Sequence, residues 1–105
     1  MHDPALSEIP NVLYCPNDVR LELLGDEAAC FERNSGVTHV MDAGGAFVLS
    51  HIVQQRGIDR DELLANLLAS FQDEAAALAT LLDNTLSLLL EQGLIRATGA
   101  PDANR

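Results

Sequence analysis

The stretch Phe31-Glu-Arg-Asn-Ser-Gly-Val-Thr-His-Val-Met-Asp42 decides how this chain folds. Asn34-Ser35-Gly36 is turn chemistry between two short strand-like segments, and Asp42 opens a helical pattern directly behind the second of them. A hairpin that feeds straight into a helix raises the question of what covers the free edge of its last strand.

Working back from that hairpin, Arg20-Leu-Glu-Leu-Leu24 alternates as a half-buried strand does, Gly25-Asp26 supplies a two-residue loop, and Ala28 to Glu32 returns. With Val37 to Met41 this predicts a three-stranded antiparallel meander. Phe31 and Val40 are expected to pair on one face, in the core, with Glu32 and His39 on the other. A three-residue loop at 34–36 would instead shift the pairing by one and swap the faces. Upstream, Val12-Leu13-Tyr14 stops at the turn-forming cluster Cys15-Pro16-Asn17-Asp18 and reads as a lead-in that packs Tyr14 on the domain. Residues 1–18 are taken together as an N-terminal arm, and 97–105 as a frayed tail.

Working forward, Asp42 can cap a helix whose Ala46, Leu49, Ile52 and Val53 recur at three- and four-residue steps. Gly44-Gly45 weakens its first turn by about 1 kcal/mol per glycine relative to alanine, and close backbone packing is the usual reason for accepting that. Gly57 is expected to end this helix. Asp59-Arg-Asp-Glu62 starts the next like a capping box, with Leu63, Leu64, Leu67, Leu68 and Phe71 as its apolar stripe. Asp73-Glu74 opens a third helix that runs to Gln92 and stops at Gly93, after which Leu94-Ile95-Arg96 leaves extended.

The third helix is unusual in how much of its circumference is apolar. At 100° per residue Leu78, Leu82, Leu86 and Leu89 cluster on one side with Leu90 beside them. Ala77, Leu81 and Leu88 extend the arc the other way, to roughly 220° in all. Either the strands and the other two helices cover that arc between them, or its Leu81 and Leu88 shoulder lines a groove beside the sheet edge.

With 105 residues the chain suffices for one domain, which at that size buries roughly 65% of the surface its unfolded chain exposes. Sixteen acidic residues against 6 basic give a formal net charge of −10, so the electrostatic footprint of a phosphate binder is missing. Solubility explains an acidic surface adequately, and steering of a basic partner is the functional alternative. The longest leucine run, Leu88-Leu89-Leu90, is far short of a membrane span, and Met1-His-Asp-Pro lacks the features of a signal peptide, so a cytoplasmic protein off the membrane is expected. Cys15 and Cys30 have neither disulfide nor zinc spacing and read as structural thiols.

No catalytic arrangement emerges from spacing. Ser35 and His39 share a hairpin but lack a carboxylate third member, and His2, His39 and His51 are scattered without a metal-binding interval. Gly44-Gly45 has no P-loop lysine or dinucleotide-binding context. Neither enzyme activity, nor a metal, nor a cofactor is therefore expected.

The wording Asp26-Glu-Ala-Ala-Cys-Phe31, then Ser35-Gly-Val-Thr-His39, the acidic cap at Asp42, and the ending Leu86, Leu89, Gly93-Leu94-Ile95 together resemble the PqqD-like family of peptide chaperones, across about Leu21 to Ile95. The Ser-Gly-x-Thr-His version is similar to the bacterial PqqD-like proteins encoded beside kinases related to HPr kinase. Gly44-Gly45 departs from the common pattern, where larger or polar residues are usual. The resemblance implies an α+β, winged helix-turn-helix-like domain at 19–96, with a three-stranded antiparallel sheet followed by three helices. It also implies a recognition element for ribosomally made peptides, in which a leader peptide adds as a strand along Val37, Thr38, His39, Val40 and Met41 and rests on Leu81, Asn84, Thr85 and Leu88 of the third helix. The partners implied are a precursor peptide and a peptide-modifying enzyme, for which the Ser-Gly-x-Thr-His version suggests a kinase-related protein.

Two other classes fit the same architecture. One is a winged-helix DNA-binding regulator, which would need Arg and Lys on its recognition helix. The second and third helices hold Arg60 as their only basic residue against a run of acidic ones. The other is a homodimerisation module in which two sheet edges pair with each other.

Overall fold

The computed structural model describes residues 12–98, so most of the expected arm and tail, residues 1–11 and 99–105, lies outside them. Described residues run β1 (Leu13–Pro16), β2 (Val19–Leu24), β3 (Glu27–Glu32), β4 (Val37–Met41), α1 (Ala43–Gln55), β5 (Ile58–Asp59), α2 (Arg60–Ser70), α3 (Ala75–Glu91) and β6 (Ile95–Thr98). They form an α+β fold with two three-stranded antiparallel sheets, ordered β2-β3-β4 and β5-β1-β6.

The meander has the expected strands. Leu24 faces Glu27 across a two-residue loop whose Gly25 takes φ +69°, as the first position of a II′ turn requires. The second hairpin closes on Glu32 and Val37 across four loop residues, with Gly36 at φ +75°. Phe31 therefore faces Thr38 rather than Val40. Shifting by two keeps the face groupings, but the buried face is the other one. Ala28 and Cys30 are fully buried, whereas Phe31 is 40% and Val40 70% exposed. The physical reason is closeness: α1 packs on the small side chains of β3, where a phenylalanine would hold it away.

The second sheet corrects the reading of residues 12–18 as part of an arm. Here β1 is a central strand, paired with β5 through Leu13 and Tyr14 and with β6 through all four of its residues. Single short strands such as these carry too little alternation to show in the sequence, and their pairing partners lie more than 40 residues away. Asn17, read as a turn former, fastens the arrangement. Its side-chain amide donates to the carbonyls of Gly93 at 2.7 Å and Ile95 at 3.2 Å, and its main-chain N–H donates to that of Leu94 at 3.0 Å.

Helix ends follow their caps. The Asp42 carboxylate accepts from Gly45 N–H at 3.0 Å and that of Asp59 from Glu62 N–H at 2.8 Å. At the end of α1 it is Arg56, not Gly57, that turns left-handed, at φ 63°. Gly93 ends α3 at φ +76°, with Gly93 N–H donating to Leu90 and Leu94 N–H to Leu89. This pairing is the Schellman closure, and it turns the chain into β6 with Leu94 fully buried. The common core joins Cys30, Val48, Leu49, Ile52, Ile58, Leu63 and Leu67 to Leu78, Leu82, Leu86 and Leu89 of α3.

Leu89 is 2% exposed in that cluster. Leu89→Ala is expected to lower stability by about 2–5 kcal/mol, measured by urea unfolding. A loss below about 1 kcal/mol would mean that this side of α3 is not the packed one.

Candidate functional site

Strand pairing fixes which backbone groups of β4 are free. The closing pair of the first hairpin, Leu24 and Glu27, and the bond from Arg33 N–H to Asp18 C=O at 3.0 Å set the alternation along β3. Glu27, Ala29 and Phe31 exchange bonds with β2, so Ala28, Cys30 and Glu32 exchange theirs with Met41, His39 and Val37. The N–H and C=O groups of Thr38 and Val40 consequently point to the outer edge of the sheet, which no described strand covers.

That edge runs beside a groove of about 310 Å³ between β4 and α3. Six of the nine residues expected at a peptide site line it: Val40, Met41, Leu81, Asn84, Thr85 and Leu88. Val37, Thr38 and His39 lie further along β4 toward the hairpin loop and do not. Leu88 is 51% exposed and Leu81 is half-buried at the groove wall, so the shoulder of α3 that the core leaves uncovered is the one facing the strand edge. Asp42, Gly45, Leu89 and Gln92 complete the lining. Gln92 continues the helical series from Leu81, Thr85 and Leu88, a signal visible in the sequence. Gly45 could be found only through the unusual glycine pair.

Asp42 is the only acidic or basic side chain among the groove residues, and its Oδ1 is engaged with Gly45 N–H. The surface is otherwise apolar with neutral amide and hydroxyl groups, suited to an extended, largely uncharged segment. A second hollow, of about 430 Å³, lies against α1 and Phe71. From β2 it takes only Leu23, so hollow and strand edge do not run together there.

The hairpin that presents β4 is braced by Glu32, which is buried and accepts from Asn34 N–H at 3.0 Å and Ser35 N–H at 2.8 Å. The Ser35 hydroxyl first, then these N–H groups and the nearby His39, hold the Glu32 carboxyl below the usual glutamate range against its partial desolvation. Ser35 Oγ also accepts from Val37 N–H at 3.2 Å, so this serine is committed to the turn. Burial, and then the Glu32 charge, push the Cys30 thiol up to about 11, which keeps it protonated at neutral pH. Among the described residues no group of three or more His, Cys, Asp or Glu side chains is placed to hold a metal ion. Nor is any helix among them long and apolar enough to cross a membrane.

On the far side of α3, Arg60 forms a two-pronged pair with Asp83, at 2.6 and 3.1 Å, and ties α2 to α3. The one basic residue of these two helices is thereby engaged, leaving Asp61, Glu62, Asp73, Glu74 and Glu91 exposed.

No family model matches the sequence, and no curated protein does. Among solved structures, TbiB1 in complex with the TbiA(beta) leader peptide matches with a TM-score of 0.69 at 18% identity, over 86% of this chain and 99% of that one. At that identity the likeness is one of fold.

A lowered Glu32 pKa has a definite sign. Its stabilisation is complete above the unfolded glutamate pKa and is lost as pH falls through the lower folded value. Glu32→Gln is therefore expected to unfold at lower urea than the parent at about pH 7, with the gap closing as the pH falls below the unfolded glutamate value of about 4.3. A gap independent of pH would assign the effect to packing instead.

Proposed function

We propose that the protein is a non-catalytic adaptor that binds an extended segment of a ribosomally made precursor peptide. The segment adds as a fourth strand along β4, bonds to the outward N–H and C=O groups of Thr38 and Val40, and lays an apolar side chain against Leu81 and Leu88. The observation that carries this reading is the coincidence of a strand edge that no described strand covers with an apolar groove walled by α3. The shared fold with a protein seen in complex with a leader peptide supports it, as does the PqqD-like wording of the sequence. On this reading the adaptor works in a bacterial cytoplasm and presents the bound peptide to a modifying enzyme, for which the resemblance suggests a kinase-related protein. No cofactor takes part.

The DNA-binding alternative shares the architecture, and the site separates the two. With α2 and α3 acidic and Arg60 held by Asp83, a duplex backbone would meet repulsion where a regulator needs attraction. Fluorescence anisotropy with mixed-sequence duplex at low salt is expected to show no sub-micromolar binding. Tight, salt-sensitive binding would favour the regulator.

The peptide reading is tested with the peptides encoded next to this chain's gene, titrated by calorimetry. Thr38→Pro removes an outward donor without touching the ladder to β3, and Leu81→Asp puts a charge into the groove wall. Each is expected to weaken binding by at least about 10-fold with the circular dichroism spectrum retained, while Arg60→Ala leaves affinity within about 2-fold. Unchanged affinity in both groove variants would place the peptide elsewhere. A wild-type protein that binds no peptide but sediments as a dimer, separated by Thr38→Pro, would favour pairing of two β4 edges.

A further inference from the structure

We infer that Gly44 and Gly45 set the size of side chain that the groove accepts, and that they fit it to a bulky apolar anchor of the leucine, methionine or phenylalanine class. This rests on the peptide-binding reading above and adds the identity of its specificity-determining residues. Glycine disfavours a helix, and two in succession in the first turn of α1 call for a cause. Backbone conformation is not that cause, because neither residue has positive φ. Packing accounts for one of them. A Cβ on Gly45 would lie 3.2 Å from Met41 Cβ, tighter than ordinary contact, with Met41 Cγ and Asp42 Oδ1 at an ordinary 3.6 Å. At Gly44 a Cβ would meet both Leu81 methyl carbons at 3.5 Å, an ordinary van der Waals separation. Alanine fits there and would favour the helix.

What the two positions share is their neighbours. Met41 and Leu81 line the groove, Met41 from the strand and Leu81 from α3, and each rests where a glycine leaves out a methyl group. Without side chains beneath them Met41 and Leu81 can give way toward α1, which lets the groove deepen around an inserted side chain. A methyl at 44 props Leu81, and one at 45 displaces Met41. Either makes the groove shallower. The same change at Gly44 should strengthen the free protein, so stability and affinity are expected to move in opposite directions.

The probe is a phage-displayed random dodecapeptide library, selected in parallel on wild type, Gly44→Ala, Gly45→Ala and Leu81→Asp. The wild type is expected to enrich sequences with one bulky apolar anchor, absent from the Leu81→Asp selection. Gly44→Ala and Gly45→Ala should enrich a smaller anchor such as alanine or valine. Purified bulky-anchor peptides should then bind the glycine variants at least about 10-fold more weakly than wild type, although Gly44→Ala melts several degrees higher. Should Gly45→Ala fold poorly, Gly44→Ala alone decides. The same anchor size in all three folded proteins would overturn the assignment while leaving the peptide site in place. Failure of the wild type to enrich any peptide dependent on Leu81 would overturn both.

Discussion

The seating of α1 against the small side chains of β3 is the contact on which the remaining geometry depends. Ala28 and Cys30 are fully buried under it, and their size lets the helix approach the sheet closely. Asp42 joins β4 to α1 without an intervening loop, its carboxylate on Gly45 N–H, so the strand edge and the helix move as one body. Because α3 packs on α1 through the shared core, the spacing between β4 and α3 is set indirectly, by how near α1 lies to β3. A larger residue at 28 or 30 would be felt at the groove although neither touches it.

How much of this was legible in the sequence depended on how local each signal is. The strands of the meander, the caps at Asp42 and Asp59, the stop at Gly93 and the buried side of α3 follow from neighbours a few residues apart, and each was readable. Leu81 and Leu88 could be singled out because the apolar arc of α3 exceeds what one core covers. The buried face of the meander is the one the sequence does not point to: Phe31 and Val40 are the larger residues, yet the helix packs on Ala28 and Cys30. β1 and β5 stayed invisible for a different reason. A strand of two to four residues has no periodicity to speak of, and what makes it a strand is a partner distant in the chain.

Electrostatics divides the surface in a way that composition alone does not show. The net charge of −10 belongs to the whole chain, with exposed carboxylates at Glu22, Asp26 and Glu27 of the first hairpin and at Asp61, Glu62, Asp73, Glu74 and Glu91 about the helices, whereas the groove lining holds Asp42 as its only acidic or basic side chain, and that carboxylate caps a helix. A ligand lying in the groove meets neutral walls, and whatever extends past them meets an acidic field. If the proposed peptide is the occupant, this arrangement would favour an apolar segment flanked by basic residues over one uniformly charged.

The pairing of β1 with β6 brings Leu13 opposite Thr98, so the chain enters and leaves the folded unit side by side. Neither strand contributes to the groove lining. Anything joined directly at Leu13 or at Thr98 would start from one corner of the described unit, and that corner is built from strands set apart from the groove lining.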